Sequence, residues 1–152
     1  MDTKRQPGIK PIAIVLKECS FVRYPEVITN LHTDCKISYN KSLIDATRAQ
    51  GILTVDATGV CDVGAKKVYE AKIVYIGIFK EDGDANLPLE EFMTIHAPAH
   101  IYPYAREYLS SLSMRSGMPM IVLPPLNIAA LLNMDIEGTV NEDSNTTEDI
   151  HP

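Results

Sequence analysis

In the N-terminal half of the chain, apolar and polar residues alternate or gather into short β-branched runs; beyond residue 88 the spacing becomes helical. Residues 12–22 are mostly apolar and β-branched, interrupted by Lys17 and Glu18, and predict a first strand that Tyr24 and Pro25 end. About ten residues, 25–34, then form a connection longer than usual, suited to crossing the sheet or carrying function. Cys35, Ile37 and Tyr39 alternate with Lys36, Ser38 and Asn40, the pattern of a one-faced strand. Residues 51–60 predict a third strand, with Leu53, Val55 and Ala57 opposite Thr54, Asp56 and Thr58. Asp62 to Gly64 is a turn signal, and residues 66–80 predict a fourth strand. There Tyr69, Ala71, Ile73, Tyr75, Gly77 and Phe79 share one face, and Val68, Val74, Ile76 and Ile78 take the other with Glu70 and Lys72. Its second half is apolar on both faces, which predicts one face on helices and one against another subunit.

Glu81 to Asp84 reads as a loop. Residues 88–96 open with a proline and two acids and contain Phe92, Met93 and Ile95, a short apolar helix. Pro98 separates it from a longer helix with Pro103 in its first turn. Tyr104, Tyr108 and Leu112 follow at i, i+4, i+8, with Ala105 and Leu109 beside them; Ser110, Ser111 and Ser113 fall on the polar side. Gly117 suits a left-handed stop, and Pro119 prevents continuation. Residues 118–126 are apolar and proline-punctuated, so they cannot form a central strand. They read as a connector across the core or as the wall of a groove that other chains enter. Asn127 is a natural N-cap for a short helix over residues 128–132. Strands followed by helices predict an α+β fold: a four-stranded antiparallel sheet with helices packed on one face.

Composition adds compartment and partner limits. With 152 residues, 45% apolar and 22% charged, the chain has the size and usage of one domain with its own core. No run approaches the ~18 apolar residues of a bilayer span, and residues 12–16 are too short for a signal-peptide core. The expected location is cytoplasmic, without direct membrane insertion. Cys19, Cys35 and Cys61 are odd in number and lack CxxC spacing, which fits reduced thiols. Residues 1–134 carry fourteen basic and fourteen acidic side chains, so the whole net charge of −6 falls on residues 135–152. The expected division is a folded domain over 1–136 and an acidic, disordered tail over 137–152. A neutral body makes nucleic acid a poor partner.

Catalytic chemistry finds no footing. His96 and His100 have helical metal-ligand spacing, but Pro98 lies between them and no acid supplies a third ligand. Cys35 near His32 is a weak nucleophile–base pair. No G-x-S-x-G, phosphate-binding glycine loop or paired-cysteine zinc pattern occurs. No catalytic residue, metal or cofactor is expected. A small enzyme with a pocket under the connector, or a purely structural module, remains as an alternative class.

The stretch Ile101-Tyr-Pro-Tyr-Ala-Arg-Glu107 resembles the (F/Y)PYARE-type helix start of the SecB protein-export chaperones. Gly117-Met-Pro119 is similar to their G-x-x-P region, Leu123-Pro-Pro-Leu-Asn127 to their L-x-P-x-N segment, and Ala130-Leu131 to their last helix. Upstream, Gly77-Ile-Phe79 and Ser20-Phe21 match the ends of their fourth and first strands. The resemblance implies a sheet-and-helix protomer assembled as a dimer of dimers, a homotetramer. It implies an ATP-independent holdase that keeps unfolded precursor polypeptides in hydrophobic grooves and delivers them to the SecA motor. Carried over by position, it places Cys35, Ile37, Tyr39, Ile121, Leu123, Leu132 and Ile136 in the client groove. Ala71, Ile73 and Tyr75 fall at subunit contacts, and Glu18 at a SecA contact. Val22 and Lys72 stand where the exporters carry acids, with Glu70 at a neighbouring position that is apolar there. Relatives that guard an aggregation-prone antitoxin supply the alternative role.

Overall fold

The structure, a computed structural model, describes residues 8–25, 28, 30–83, 85–127 and 130–131. Four strands form one antiparallel sheet: β1 (Ile9–Arg23), β2 (Leu31–Leu43), β3 (Arg48–Cys61) and β4 (Lys67–Glu81), in the order β1-β4-β3-β2. Strands β2, β3 and β4 form a meander. The chain after β1 therefore passes from one edge of the sheet to the other, which accounts for the long connection expected there. That connection is shorter than expected, because β2 starts at Leu31.

β1 carries two register shifts, between Pro11 and Ala13 and between Leu16 and Glu18. The second explains an interruption visible in the sequence. Lys17 is the extra residue of a bulge, so two successive charged residues need not break the strand. The register then puts Ile14, Leu16, Cys19 and Phe21 on the same face as Gly77, Tyr75, Ile73 and Ala71.

Helix α1 (Leu89–Ile95) and helix α2 (Ala97–Arg115) cover that face, α2 over β4 and β3 and α1 over β3. Phe92 and Met93 of α1 and Ala97, Ile101, Ala105 and Leu109 of α2 are buried with Leu53, Val55, Ile73 and Phe79 of the sheet in one core. Gly77 marks a close approach of α2 to the sheet: a Cβ there would sit 2.8 Å from Ile101 Cδ1. The lone glycine in the strand is the socket for α2.

Three expectations for the helices change. Pro98 does not separate them; it occupies the first turn of α2, where an absent N–H costs nothing, and His96 alone forms the break. Pro103 lies inside α2. It is tolerated because Pro103 and Ala99, whose carbonyl loses its donor, are both on the exposed side. The buried stripe runs through Ala97, Ile101, Ala105, Leu109 and Ser113, every fourth residue, with Tyr102 beside it. Tyr104 is 49% exposed, and Tyr108 and Leu112 are half-buried. Ser113, expected on the polar side, is fully buried. The predicted helix over 128–132 and the tail from 137 onward fall mostly or wholly outside the described residues.

Candidate polypeptide-binding site

β2 is an edge strand and pairs with β3 over its whole length without a register shift. Its odd-numbered side chains lie in register with Cys61, Ala57, Val55 and Leu53, on the helix side of the sheet. Cys35, Ile37 and Tyr39 are therefore brought together as one apolar row, half-buried and packed against the core. Tyr39 is anchored: its hydroxyl donates to the Met93 carbonyl at 2.6 Å. Gly51 makes room, since a Cβ there would lie 2.6 Å from that hydroxyl. Burial, then the charge of Asp56, pushes the Cys35 thiol up to about 12. His32 and Cys35 point to opposite faces, and His32 pairs with Asp34 at 3.3 Å, so no nucleophile–base pair forms.

The row meets α2 at Tyr102. Its phenol is pushed up to about 12 by burial and then by the adjacent Cys35, and its hydroxyl donates to the Pro124 carbonyl at 2.5 Å. Pro124 belongs to the connector, which returns along α2. Ser113 Oγ accepts the Ile121 N–H at 3.0 Å and donates to the Ser110 carbonyl at 2.7 Å; Ser110 Oγ donates to the Ile121 carbonyl at 2.6 Å. Ile121 and Leu123 point inward and are buried, while Met120 and Val122 point outward. Edge strand, helix and connector thus form one seam.

The seam collects Cys35, Ile37, Tyr39, Ile121 and Leu123, five of the residues expected at the groove. Leu132 and Ile136 lie outside the described residues. Ile121 and Leu123 sit in the core and not on an open wall. Sequence reasoning missed Ser110, Ser113 and Tyr102. For Ser113 a signal existed: it stands one turn after Leu109 on the buried stripe, a position where a hydroxyl needs a dedicated partner.

The residues expected at subunit contacts lie on the covered side of the sheet. Ala71, Ile73 and Tyr75 share the helix-covered face of β4 and keep 6%, 0% and 9% exposure within their own protomer. Side chains already covered by their own chain leave almost no surface for another. The alternation of β4 offers two apolar faces, and the register places these three residues on the helix-covered one.

The outer face of the sheet is divided: Val74, Ile76 and Ile78 of β4, with Val15 of β1 and Ile52 of β3, form an apolar part, and the remainder carries paired charges. Glu18 is exposed there and meets Lys72 at 3.5 Å. Lys72 lies in register with Asp56, and Asp56 with Lys36. Glu70 accepts from Lys67 Nζ at 2.5 Å and from the Tyr24 hydroxyl at 2.7 Å. Those bonds, Lys67 first and Tyr24 second, hold its carboxyl below the usual range. Val22 is opposite Glu70 on the same face.

Elsewhere, Phe92 stacks on His96 and His100 with centroids 5.5 and 5.7 Å away. Burial and then His96 lower the His100 pKa. Among the described residues no group of three His, Cys, Asp or Glu side chains could hold a metal. An open cleft of about 430 Å³ along the outer side of α2 is lined by Pro103, Arg106, Glu107, Ser110, Ser111, Met114 and Met120. No described helix is long and apolar enough to cross a membrane.

An edge-strand apolar row, one helical layer and a strapped connector on an antiparallel sheet define the fold of a SecB-like chaperone. A family model described as preprotein translocase subunit SecB matches residues 3–138, and the chain belongs to that family. An uncharacterised protein of Methanocaldococcus jannaschii is 26% identical over 92% of this chain and 87% of its own length. The protein-export protein SecB of Alkalilimnicola ehrlichii is 32% identical over 70% of this chain and 57% of its own length. That of Caulobacter vibrioides is 25% identical over 83% and 80%. Among solved structures, a SecB-like chaperone of Mycobacterium tuberculosis, in complex with a ChAD peptide from the HigA1 antitoxin, superposes with a TM-score of 0.68. It is 16% identical, covering 82% of this chain and 95% of that one.

Proposed function

We propose that the protein is an ATP-independent holdase that binds unfolded polypeptides along the seam of β2, α2 and the connector and hands precursors to the SecA motor. The observation that carries this is the half-buried row of Cys35, Ile37 and Tyr39 on an edge strand beside Tyr102. Such a row recognises apolar side chains of an extended chain without demanding one sequence. Each large side chain it buries is worth about 1.5–3 kcal/mol. Ordering the client costs about 2–5 kcal/mol. Micromolar binding, about −8 kcal/mol, therefore needs several anchors on one client. Repeated grooves in a homotetramer supply them. Exposed Tyr104 and Met114 on α2, with Met120 and Val122 on the connector, offer apolar surface for that assembly. The protein works in the cytoplasm, without metal, cofactor or catalytic residue.

A second reading, a chaperone dedicated to one aggregation-prone client such as an antitoxin, is favoured by the outer face. Glu18 and Glu70 are matched by Lys72 and Lys67, which leaves little net field to attract a basic motor. The test is dilution of a chemically unfolded protein into buffer with stoichiometric amounts of this chain and no nucleotide. Suppressed aggregation supports the general holdase. Free aggregation beside a folded chain removes it and leaves the dedicated binder. Retention of a client-loaded complex by SecA then separates export from the second reading.

A further inference from the structure

We propose that residues 119–124 of the connector occupy the client seat themselves, as a displaceable strap whose place an extended apolar client segment takes. The inference rests on the holdase reading and adds where the client lies and how it leaves.

The connector belongs to no strand of the sheet. It nevertheless alternates in burial as a strand does: Ile121 and Leu123 are 7% and 2% exposed, Met120 and Val122 55% and 58%. Its backbone is held by side chains of α2. Ser113 and Ser110 take the N–H and the carbonyl of Ile121, and Tyr102 takes the carbonyl of Pro124. Hydroxyls that bond both backbone groups of one residue recognise a peptide unit and are indifferent to its side chain. The two inward positions, i and i+2, accept branched aliphatic side chains. The seat therefore fits an extended segment with apolar residues at alternate positions, which unfolded precursors present often.

Two features make the strap displaceable. Ser113 is fully buried, so its hydroxyl requires a partner, and a client peptide unit meets that need as the Ile121 backbone does. Pro119, Pro124 and Pro125 lack N–H groups, so the connector cannot extend its hold by a ladder. The strap is tethered at its α2 end and returns to the seat whenever the client loosens. An intramolecular competitor of this kind gives release without nucleotide. It also reconciles the burial of Ile121 and Leu123 with their place in the seam.

The test uses the full chain and a reduced, carboxymethylated, permanently unfolded polypeptide. Hydrogen exchange of the Ile121 amide should accelerate on client binding while the amides of 101–109 in α2 keep their protection. Unchanged or increased protection at Ile121 with client bound overturns the strap and leaves the holdase standing. Ile121→Ala weakens the strap and spares the seat, so client affinity should rise about three- to tenfold. Equal or weaker affinity means that Ile121 is a fixed wall. Absence of client binding by the unaltered chain overturns the holdase reading and the strap together.

Discussion

The two faces of the sheet are built from the same strands by opposite means. The helix-covered face holds Leu53, Ile73 and Phe79, each fully covered, and is cut to fit by glycines beneath Tyr69, Tyr39 and Ile101. The outer face carries Glu18, Lys72, Asp56 and Lys36 in a cross-strand series of alternating sign. One face is specified by shape throughout; on the other, charge balance governs the part around Lys72, beside an apolar part formed by Ile52, Ile76 and Ile78. Shape is unforgiving, because a packed interior loses its contacts with any change of volume. Charge balance on a wet surface tolerates substitution, because each pair contributes little. The proposed binding seam lies at the half-buried edge strand, between the dry face and the wet surface.

Ile73→Asp tests the dry face and carries the largest expected effect. A carboxylate at a position with 0% exposure has no partner there, and the expected loss exceeds about 4 kcal/mol. Urea unfolding followed by circular dichroism should show a much reduced midpoint or no cooperative transition. A stable protein of lower native mass would instead place Ile73 at a subunit contact. Gly77→Val extends the comparison. The added side chain meets Ile101 at under 3 Å, with an expected cost of about 1–3 kcal/mol. Gly83→Ala, where nothing lies within 4 Å, serves as the control at about zero.

Much of this architecture is legible in the sequence, for a physical reason. Period-two alternation in β3 sorts Leu53, Val55 and Ala57 inward without ambiguity, and the structure buries all three. β4 defeats the same logic. Apolar residues on both of its faces leave the inward side undetermined until the register with β3 is known. Helix α2 shifted for a related cause. Pro98 and Pro103 each suit a first turn, and local pattern does not choose between them. The choice came from tertiary fit, with Ile101 seated on Gly77. The edge-strand row of the site was legible because alternation exposes it. The serine clamp was not, because a buried hydroxyl is recognisable only once its backbone partner, distant by eight residues or more, is known.

Ile37→Asp tests the seam between the two faces. Ile37 is half-buried, so a charge there can keep some water and the fold should survive with a loss of about 1–2 kcal/mol. Client affinity should fall about tenfold or more, since the charge enters the apolar row. Titration of a fluorescent unfolded polypeptide measures it, and unchanged affinity would move the site off β2. Thiol reactivity gives a milder probe. Cys19 is exposed, whereas the Cys35 thiol is held up near 12. At pH 8 a thiol reagent should modify Cys19 and leave Cys35 untouched in the folded chain. The sign of the linkage follows. A native thiol near 12 and an unfolded one at about 8.5 make the native state the tighter proton binder, so this contribution to stability is lost as pH rises between those values. Cys35→Ser should remove that part of the alkaline loss.

Lys72→Glu addresses the outer face, where the smallest change in stability is expected. The side chain is half exposed and its pair with Glu18 spans 3.5 Å, so the loss should stay within about 1 kcal/mol. The electrostatic consequence is larger than the energetic one. The substitution removes the cation between Glu18 and Asp56, and three carboxylates then share that part of the surface with Glu70 beside them. An acidic patch of this kind attracts a basic partner and speeds its encounter, most strongly at low salt. If charge pairing is what mutes the outer face, the variant should bind SecA more tightly than the unaltered chain. The gain should fade as ionic strength rises, with client binding unchanged. Equal SecA binding by both would show that this face does not contact the motor. Weaker binding would make Lys72 itself a contact, and the matched pairs would then be the docking pattern and not its erasure.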